Sequence, residues 1–541
     1  MRLSRFAIPV FLLLAAAFFR LHALTKNERL HPDEALFSTF ARSAAVNGDW
    51  LLHGPLDKPP LTIYAEALSM MFIGVRPLPN GVLDLDIHVG EFAARLPAAL
   101  GSIVLVAAIY RLSHDLYPHT KRRGDLAGRP ANLTPILAMS LLALSPLAIA
   151  FSATVFTDGL MLLWLALALM MAARRRWGWS GVFLALGFAS KQQALLYLPL
   201  ILMIGWGESS KHHDPAFKSL ARFALPLVLT VAILIVWDVL RAQPGGVWGL
   251  AAANNNPGRL IRANEIAPRL LKWLEYAQTL AGLSWLTALL SALGIAALAA
   301  RIAGEPRNRS SLVDVLLATY VLAYFLAHWL VALNTYDRYL LPVLPPILLL
   351  MARGVEWMEK FALRMESYRK VFTSLLIVLL FFCILALCFS ALDASEGRIN
   401  VGADLGEHTG IDDLAEFLNS RSLGAIVYDR WLGWELGYYM GQWSDKRRVY
   451  YPTPDEMVSG ALQQPDPAPR YFPAPADEPL GPWLEALRSA GFAVTLVYDT
   501  PHFVVYALIP PDAGVSSAGS SWPGRSPSSG GVSGSPRGSD R

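Results

Sequence analysis

Cysteine is almost missing from this chain. Its 541 residues contain two, Cys383 and Cys388, both inside one apolar run. They are five positions apart, so they do not stack on one helix face. Neither a disulfide framework nor a zinc motif can be built from them. Charge is scarce as well: Asp, Glu, Lys and Arg make up 16% of the residues and hydrophobic types 54%. An average soluble chain carries about 25% charged residues. With a mean hydropathy of +0.39, this balance excludes a soluble multidomain protein. The net charge of +4 falls in short loops and forms no basic stripe, so no nucleic-acid partner is expected. No P-loop and no G-x-G-x-x-G occurs in a strand-to-helix setting, which removes the usual nucleotide cradles.

Long apolar runs are what the chain has in quantity. They lie near 6–24, 91–113, 133–152, 159–173, 178–189, 194–208, 221–240, 279–301, 312–332, 339–353 and 371–392. A bilayer needs roughly 20 residues per helix, so about eleven crossings are expected. No small-residue cleavage site follows 6–24, so an uncleaved first helix is expected. Cytoplasmic loops carry the excess of Lys and Arg. With the N-terminus inside, the inner loops hold Lys121, Arg122, Arg123 and Arg129, then Arg174 to Arg176, then Lys211 and Lys218. Arg307 and Arg309 follow, and then Lys360, Arg364, Arg369 and Lys370. This order places 25–90, 241–276 and everything after 392 outside. The expected class is a mainly α, polytopic membrane protein in the plasma membrane, with a transmembrane unit at 1–392. Residues 393–510 mix strand patterns ("GAIVYD", "RRVYYP", "FAVTLVYD", "HFVVYALI") with helical ones and read as a small extracytoplasmic α/β domain. The Gly/Ser/Pro-rich end, 511–541, cannot bury a core and reads as disordered.

Against this sparse background, residues 30–64 collect Asp33, Glu34, Arg42, Asp49, Asp57 and Lys58. Pro32 suits the first turn of a helix, and acids there complement its dipole by about 0.3–1 kcal/mol. The alternative use of such an acid is as a general base at the membrane surface. Neighbouring helix positions diverge by about 100°, so Asp33 and Glu34 cannot both aim at one atom. In "LDKPPL", Lys58 is held in extended chain ahead of a helix that starts at Pro59–Pro60. An ammonium beside the free N–H groups of a helix start makes a phosphate site; otherwise Lys58 only accompanies an Asp57 cap. Arg338 and Tyr339 in "LNTYDRYLLPVLPP" come to the outer mouth of another span, where they suit either phosphate binding or interfacial anchoring. Asp158 starts an outer helix, a capping position, and Lys191 sits between two short runs at a junction that suits a polar cavity. Acids and phosphate-binding cations thus converge on the outer face beside lipid. No nucleoside triphosphate is available there, so the donor has to be membrane-borne, such as a sugar on a polyprenyl phosphate.

In order, Asp33-Glu34, "ARSAAVNGDW", "KPPL", "AARLPAAL", "SPLAIAFSATVFTDGLMLLW", "GFASKQQALLYLPL" and "RYLLPVLPP" resemble the polyprenyl-phosphate-dependent glycosyltransferases of the GT-C type. The likeness runs over roughly residues 1–353. It is nearest to the branch of the protein O-mannosyltransferases and the lipid A aminoarabinose transferases. The resemblance implies an inverting transferase acting on the outer face, with a polyprenyl-phosphate-linked sugar donor and a hydroxyl acceptor on protein, lipid or glycan. It implies Asp33 as the catalytic acid residue, Lys58 near the donor phosphate and Tyr339 at the lipid phosphate; Glu34 beside Asp33, and Arg338 and Lys191 as further phosphate-binding cations, are candidates from their positions alone. Arg42, Asp57 and Asp158 would belong to the pocket. The aminoarabinose branch has Glu before Lys-Pro and a loop His with it at a metal. Here Asp57 takes the Glu position and 241–276 has no His, so a divalent metal at Asp57 stays open. A transporter of a lipid-linked sugar, and an oligosaccharide ligase or polymerase, are the alternative functions.

Overall fold

A computed structural model of the chain describes residues 4–26, 28–118, 133–209, 215–304, 308–364, 369–402, 408–441, 445–464 and 467–511. Helix α1 (Ser4–Leu24) is the first apolar run. The loop after it folds into α2 (Pro32–Asn47), α3 (Leu61–Ile73) and a hairpin of β1 (Val75–Pro77) with β2 (Leu83–Leu85). Helix α4 (Ile87–Leu116) has 30 residues. At the standard rise that is about 45 Å, longer than a ~30 Å hydrocarbon layer, so its first turns reach the level of α2.

Next come α5 (Thr134–Leu144) and α6 (Pro146–Ser152), bent by 54° at their junction. They are followed by α7 (Asp158–Ala173), α8 (Trp177–Ser190), a 3-10 turn at Gln192–Tyr197, α9 (Leu198–Ser209) and α10 (Ala216–Leu240). Two shorter helices, α11 (Gly246–Asn255) and α12 (Ala263–Ala277), precede α13 (Ser284–Gly304) and α14 (Arg309–Leu330). A 3-10 turn at Asp337–Val343 then runs into α15 (Leu344–Arg364), and α16 (Arg369–Ser395) completes the bundle.

All eleven expected runs are helical, and the chain is a multi-pass membrane protein. Their lengths are uneven. Among the described residues seven helices are long and apolar enough to cross, or eight with the bent pair counted as one. The runs near 159–173, 178–189 and 194–208 form helices of 16, 14 and 12 residues, short for straight crossings. Protein contact divides the spans: 83% of the apolar window leading into α15 is buried, but only 17% of that in α10. Central helices hold the site, and peripheral ones face lipid.

The end of the bundle away from α2 is tied by buried charges. Asp314 of α14 accepts from Tyr117 (2.7 Å), Arg301 (2.5 Å) and Arg353 (3.3 Å). Arg353 also pairs with Glu356 at 2.8 Å, and Glu356 in turn takes Thr134 and Lys360. Five helix ends meet there.

Beyond α16, the chain forms α17 (Ile411–Asn419), β3 (Ile426–Asp429), α18 (Gly433–Tyr439), β4 (Arg447–Tyr450), α19 (Pro454–Gln463), β5 (Arg470–Pro475), α20 (Gly481–Ser489), β6 (Ala493–Asp499) and β7 (Phe503–Ile509). The sheet order is β4-β3-β5-β7-β6, with β3 parallel to both neighbours and the other pairs antiparallel. β3 is buried on both faces, as alternate side chains of a strand require. Val427 joins the core shared with the membrane helices, while Ile426 and Tyr428 join a second core with Phe472 and Trp483. β5 and α19 were not expected, because "RYFPAP" is proline-rich. The prolines are tolerated because β3 meets β5 only at Arg470 and Tyr471, leaving Pro473 and Pro475 with β7 alone. The tail from 512, and inner-loop Lys121, Arg122, Arg123, Arg129, Lys211 and Arg307, lie outside the described residues.

The charge network at the far end sets a test of the bundle. Asp314→Ala leaves two cations facing each other in a buried setting, and breaking a buried pair costs about 3 kcal/mol or more. Thermal unfolding in detergent is expected to shift clearly downward. An unchanged midpoint would contradict the assigned role.

Candidate active site

The site begins with the start of α2. His31 caps it: its Nδ1 accepts from the Asp33 amide at 3.1 Å, and the Glu34 carboxylate accepts from the His31 amide at 3.0 Å. This is a reciprocal capping box, with His in the place usually held by Ser or Thr. Glu34 is 3% exposed. Its oxygens also accept from Arg95 of α4 at 2.9 and 3.1 Å and from the Val155 amide at 2.8 Å. Four hydrogen bonds occupy it, so Glu34 locks α2 to α4 and to the loop between α6 and α7.

Asp33 points elsewhere, as adjacent helix positions must. Its carboxylate meets Arg338 Nη1 at 2.5 Å. Arg338 lies between the rings of Phe156 and Tyr336, 4.9 and 4.6 Å from their centroids. Behind it, Asp337 accepts from the Arg338 amide at 2.7 Å and from the Gly402 amide at 2.9 Å. The segment after α16 therefore helps to fix the arginine. Burial alone would raise the Asp33 pKa. The charge and hydrogen bond of Arg338, aided by His31 and Lys58, outweigh it and hold the carboxyl below its ordinary value of 3.8.

Lys191 follows the last residue of α8 in extended backbone. Its ammonium meets both oxygens of Asp158, the first residue of α7, at 2.8 and 2.7 Å. It also lies 5.9 Å from the Tyr339 ring. Burial draws the Lys191 pKa down to about 8; Asp158 opposes that, and the charges of Arg338 and Lys58 add to it. Lys58 pairs with Asp57 at 2.6 Å, and Asp57 accepts from Asn254 at 3.2 Å. The loop before Lys58 is pinned by the buried Arg241, which donates to the Leu52 carbonyl at 2.7 and 3.0 Å and to that of Gly54 at 2.7 Å. That grip holds Leu52 at a φ of 57°, a strained value for a branched side chain.

The structure thus gathers Asp33, Lys58, Arg338, Tyr339, Lys191 and Asp158 into one electrostatic cluster. Arg42 is not in it. Its guanidinium bonds the Tyr438 carbonyl and faces Asp84 at 3.9 Å, latching α2 to α18. At Asp57, one oxygen already takes the Lys58 ammonium and the Asn254 amide, and among the described residues no three His, Cys, Asp or Glu side chains gather into a group that could hold a metal ion. A cavity of about 280 Å³ adjoins the cluster, lined by Glu28, Arg29, His31, Glu34, Arg95 and His408 among others. Sequence reasoning had not singled out Arg95, His31, Phe156, Tyr336 or Asp337. For Arg95 a signal existed: an arginine inside an otherwise apolar run.

A helical bundle with this polar cluster at one end and a small α/β unit beside it is a fold the chain shares with solved membrane glycosyltransferases. Residues 82–240 match the family described as dolichyl-phosphate-mannose-protein mannosyltransferase. The crystal structure of ArnT from Cupriavidus metallidurans in the apo state aligns with a TM-score of 0.59 at 15% identity, over 92% of this chain and 97% of that one. The same protein bound to undecaprenyl phosphate gives 0.59 at 14%, over 93% and 98%. The Archaeoglobus fulgidus oligosaccharyltransferase in the apo form gives 0.54 at 11%, over 94% and 76%. No curated protein matches the chain by sequence.

One buried acid near the cluster has no partner. Glu66 of α3 is 1% exposed, and neither oxygen is hydrogen-bonded among the described residues. Burial, with the charge of Glu34, pushes its carboxyl well above the ordinary 4.5. The folded state then holds the proton more tightly than the unfolded chain. The stability so contributed is present at low pH and is lost as pH rises past 4.5. Glu66→Gln keeps the shape without the titration. Melting curves across pH should show it level with wild type in acid and more stable above neutrality; parallel curves throughout would contradict the assignment.

Proposed function

We propose that the chain is an inverting membrane glycosyltransferase that moves a sugar from a polyprenyl phosphate to a hydroxyl on protein, lipid or glycan. The observation that carries this reading is the Asp33–Arg338 pair with Lys58 and Lys191 in the same field. It sets Asp33 beside a cluster of three cations, each with its own carboxylate partner. The fold is shared with an ArnT solved with undecaprenyl phosphate, and an anion-binding cluster at lipid level suits a donor of that kind.

In the proposed step the acceptor oxygen attacks the anomeric carbon and its proton passes to Asp33. The bond from that carbon to the phosphate oxygen breaks, and its electron pair leaves with the polyprenyl phosphate. The leaving phosphate gains negative charge as the bond breaks. Contacts from Lys58, Arg338 and Lys191 therefore strengthen towards the transition state, which is where they accelerate the reaction. Tyr339 completes the phosphate wall. Glu34 serves the geometry, not the chemistry. Arg338 has two anions to choose between. When the donor arrives, its phosphate draws the guanidinium from Asp33, and the carboxylate becomes a stronger base at the moment it is needed.

The site opens to the extracytoplasmic side of the plasma membrane. Support comes from the basic residues Arg174 and Lys360, which pair with Asp115 and Glu356 towards the opposite, Asp314 end of the bundle, since cytoplasmic ends carry the excess of Lys and Arg.

Purified protein in detergent, supplied with polyprenyl-phosphate sugars, tests the reading through release of polyprenyl phosphate. Asp33→Asn is expected to lower turnover by about 10²–10⁴-fold with donor affinity nearly kept. Lys58→Ala should cost about 10²–10³-fold in turnover. Turnover near wild type in Asp33→Asn would leave that residue only a structural partner of Arg338 and remove the mechanism.

A further inference from the structure

Arg20 lies in the last turns of α1, within the first apolar span, and is fully buried. An ionisable side chain at such a place is costly and marks a function. Its hydrogen-bond partners among the described residues are all neutral. Nε donates to Ser102 Oγ at 2.7 Å, and Nη1 to the carbonyls of Ala143 and Ala16 at 3.0 and 3.3 Å. Nη2 donates to the Leu142 carbonyl at 3.0 Å.

Two of these carbonyls belong to the end of α5. In a continuous helix Leu142 would accept from the amide four residues on, which is that of Pro146, and proline has no N–H. The 54° bend at this point also takes the next amide out of line with Ala143. Freed carbonyls inside a membrane have to find donors. Arg20 supplies them from the neighbouring helix, and its cation sits at the negative end of α5.

The bend has a destination. Helix α6 delivers the loop at 153–157, where the Val155 amide binds Glu34 and the Phe156 ring supports Arg338. One step further, Asp158 opens α7 and holds Lys191. We propose that Arg20 is a positioning residue for glycosyl transfer: it keeps the α5–α6 break bent, and the bend sets the wall of the active site. This inference rests on the transferase reading given above.

Three single variants, one double variant and two readouts test it. Arg20→Met removes the donors while making α1 a more apolar span, so membrane insertion is kept. Displacing catalytic groups by about 1 Å costs roughly 10²-fold, and a fall of that order in kcat is expected, with a much smaller change in donor KM. Arg20→Lys, which still offers a cation to the carbonyls, should recover part of the loss. Pro146→Ala restores an N–H opposite Leu142 and lets the helix run straight. It should lower kcat similarly, and the double variant should lose little more, because both changes release the same bend. Hydrogen–deuterium exchange over 146–158, which needs no activity, is expected to quicken in Arg20→Met, including at the Val155 amide. Unchanged exchange with wild-type kcat would overturn the proposal. If wild-type protein transfers no sugar, the transferase reading fails, and the exchange result alone decides the role of Arg20.

Discussion

The ion pair between Asp33 and Arg338, 2.5 Å apart, is the constraint on which the rest of the structure depends. A carboxylate lifted out of water prefers to be neutral, and a neutral acid cannot take a proton from an acceptor. Arg338 keeps it ionised. The same guanidinium is the right shape for a phosphate, so in the proposed mechanism the base and the leaving group share one counter-ion, paired with Asp33 until a donor phosphate competes for it.

Holding this pair takes contributions from most of the chain. Asp33 is aimed by the capping box at the start of α2 and by the grip of Arg95 on Glu34. Arg338 is aimed by two aromatic rings and by Asp337, which the Gly402 amide secures from beyond the last span. The C-terminal α/β unit leans on the same framework. Tyr439 bonds Glu91 at 2.5 Å, and Arg29 reaches Asp412 at 2.9 Å. Its docking surface is therefore also the outer wall of the site, and a substitution on either side is felt by the other.

Much of the secondary structure was legible in the sequence, because apolar length and strand alternation are local properties. Every expected run is a helix, and the seven elements anticipated after residue 392 are present. Length alone does not show where a run is broken: those at Ser145–Pro146 and Lys191 are interrupted or short helices. Asp33, Lys58, Arg338, Tyr339, Asp158 and Lys191 were each visible as polar residues where the chain meets the membrane surface. What the sequence could not display was pairing. Arg338 is 305 positions from Asp33, and Glu34 and Arg95 are separated by 61. Nothing local distinguishes an acid that aims at a substrate from one that locks a helix. Proline-rich β5 escaped notice for the converse reason: its neighbours forgive prolines, and that is a fact about the sheet.

The shared counter-ion is tested most directly by the acid limb of the pH profile of kcat/KM, which reports the free enzyme. In wild-type protein it should fall below the ordinary aspartate value of 3.8, where Arg338 holds Asp33. In Arg338→Gln the burial of Asp33 is no longer opposed by that guanidinium, so the limb should move to higher pH as overall activity drops. Identical acid limbs in the two proteins would mean that Arg338 does not set the ionisation of the base, and the account would fail at its centre.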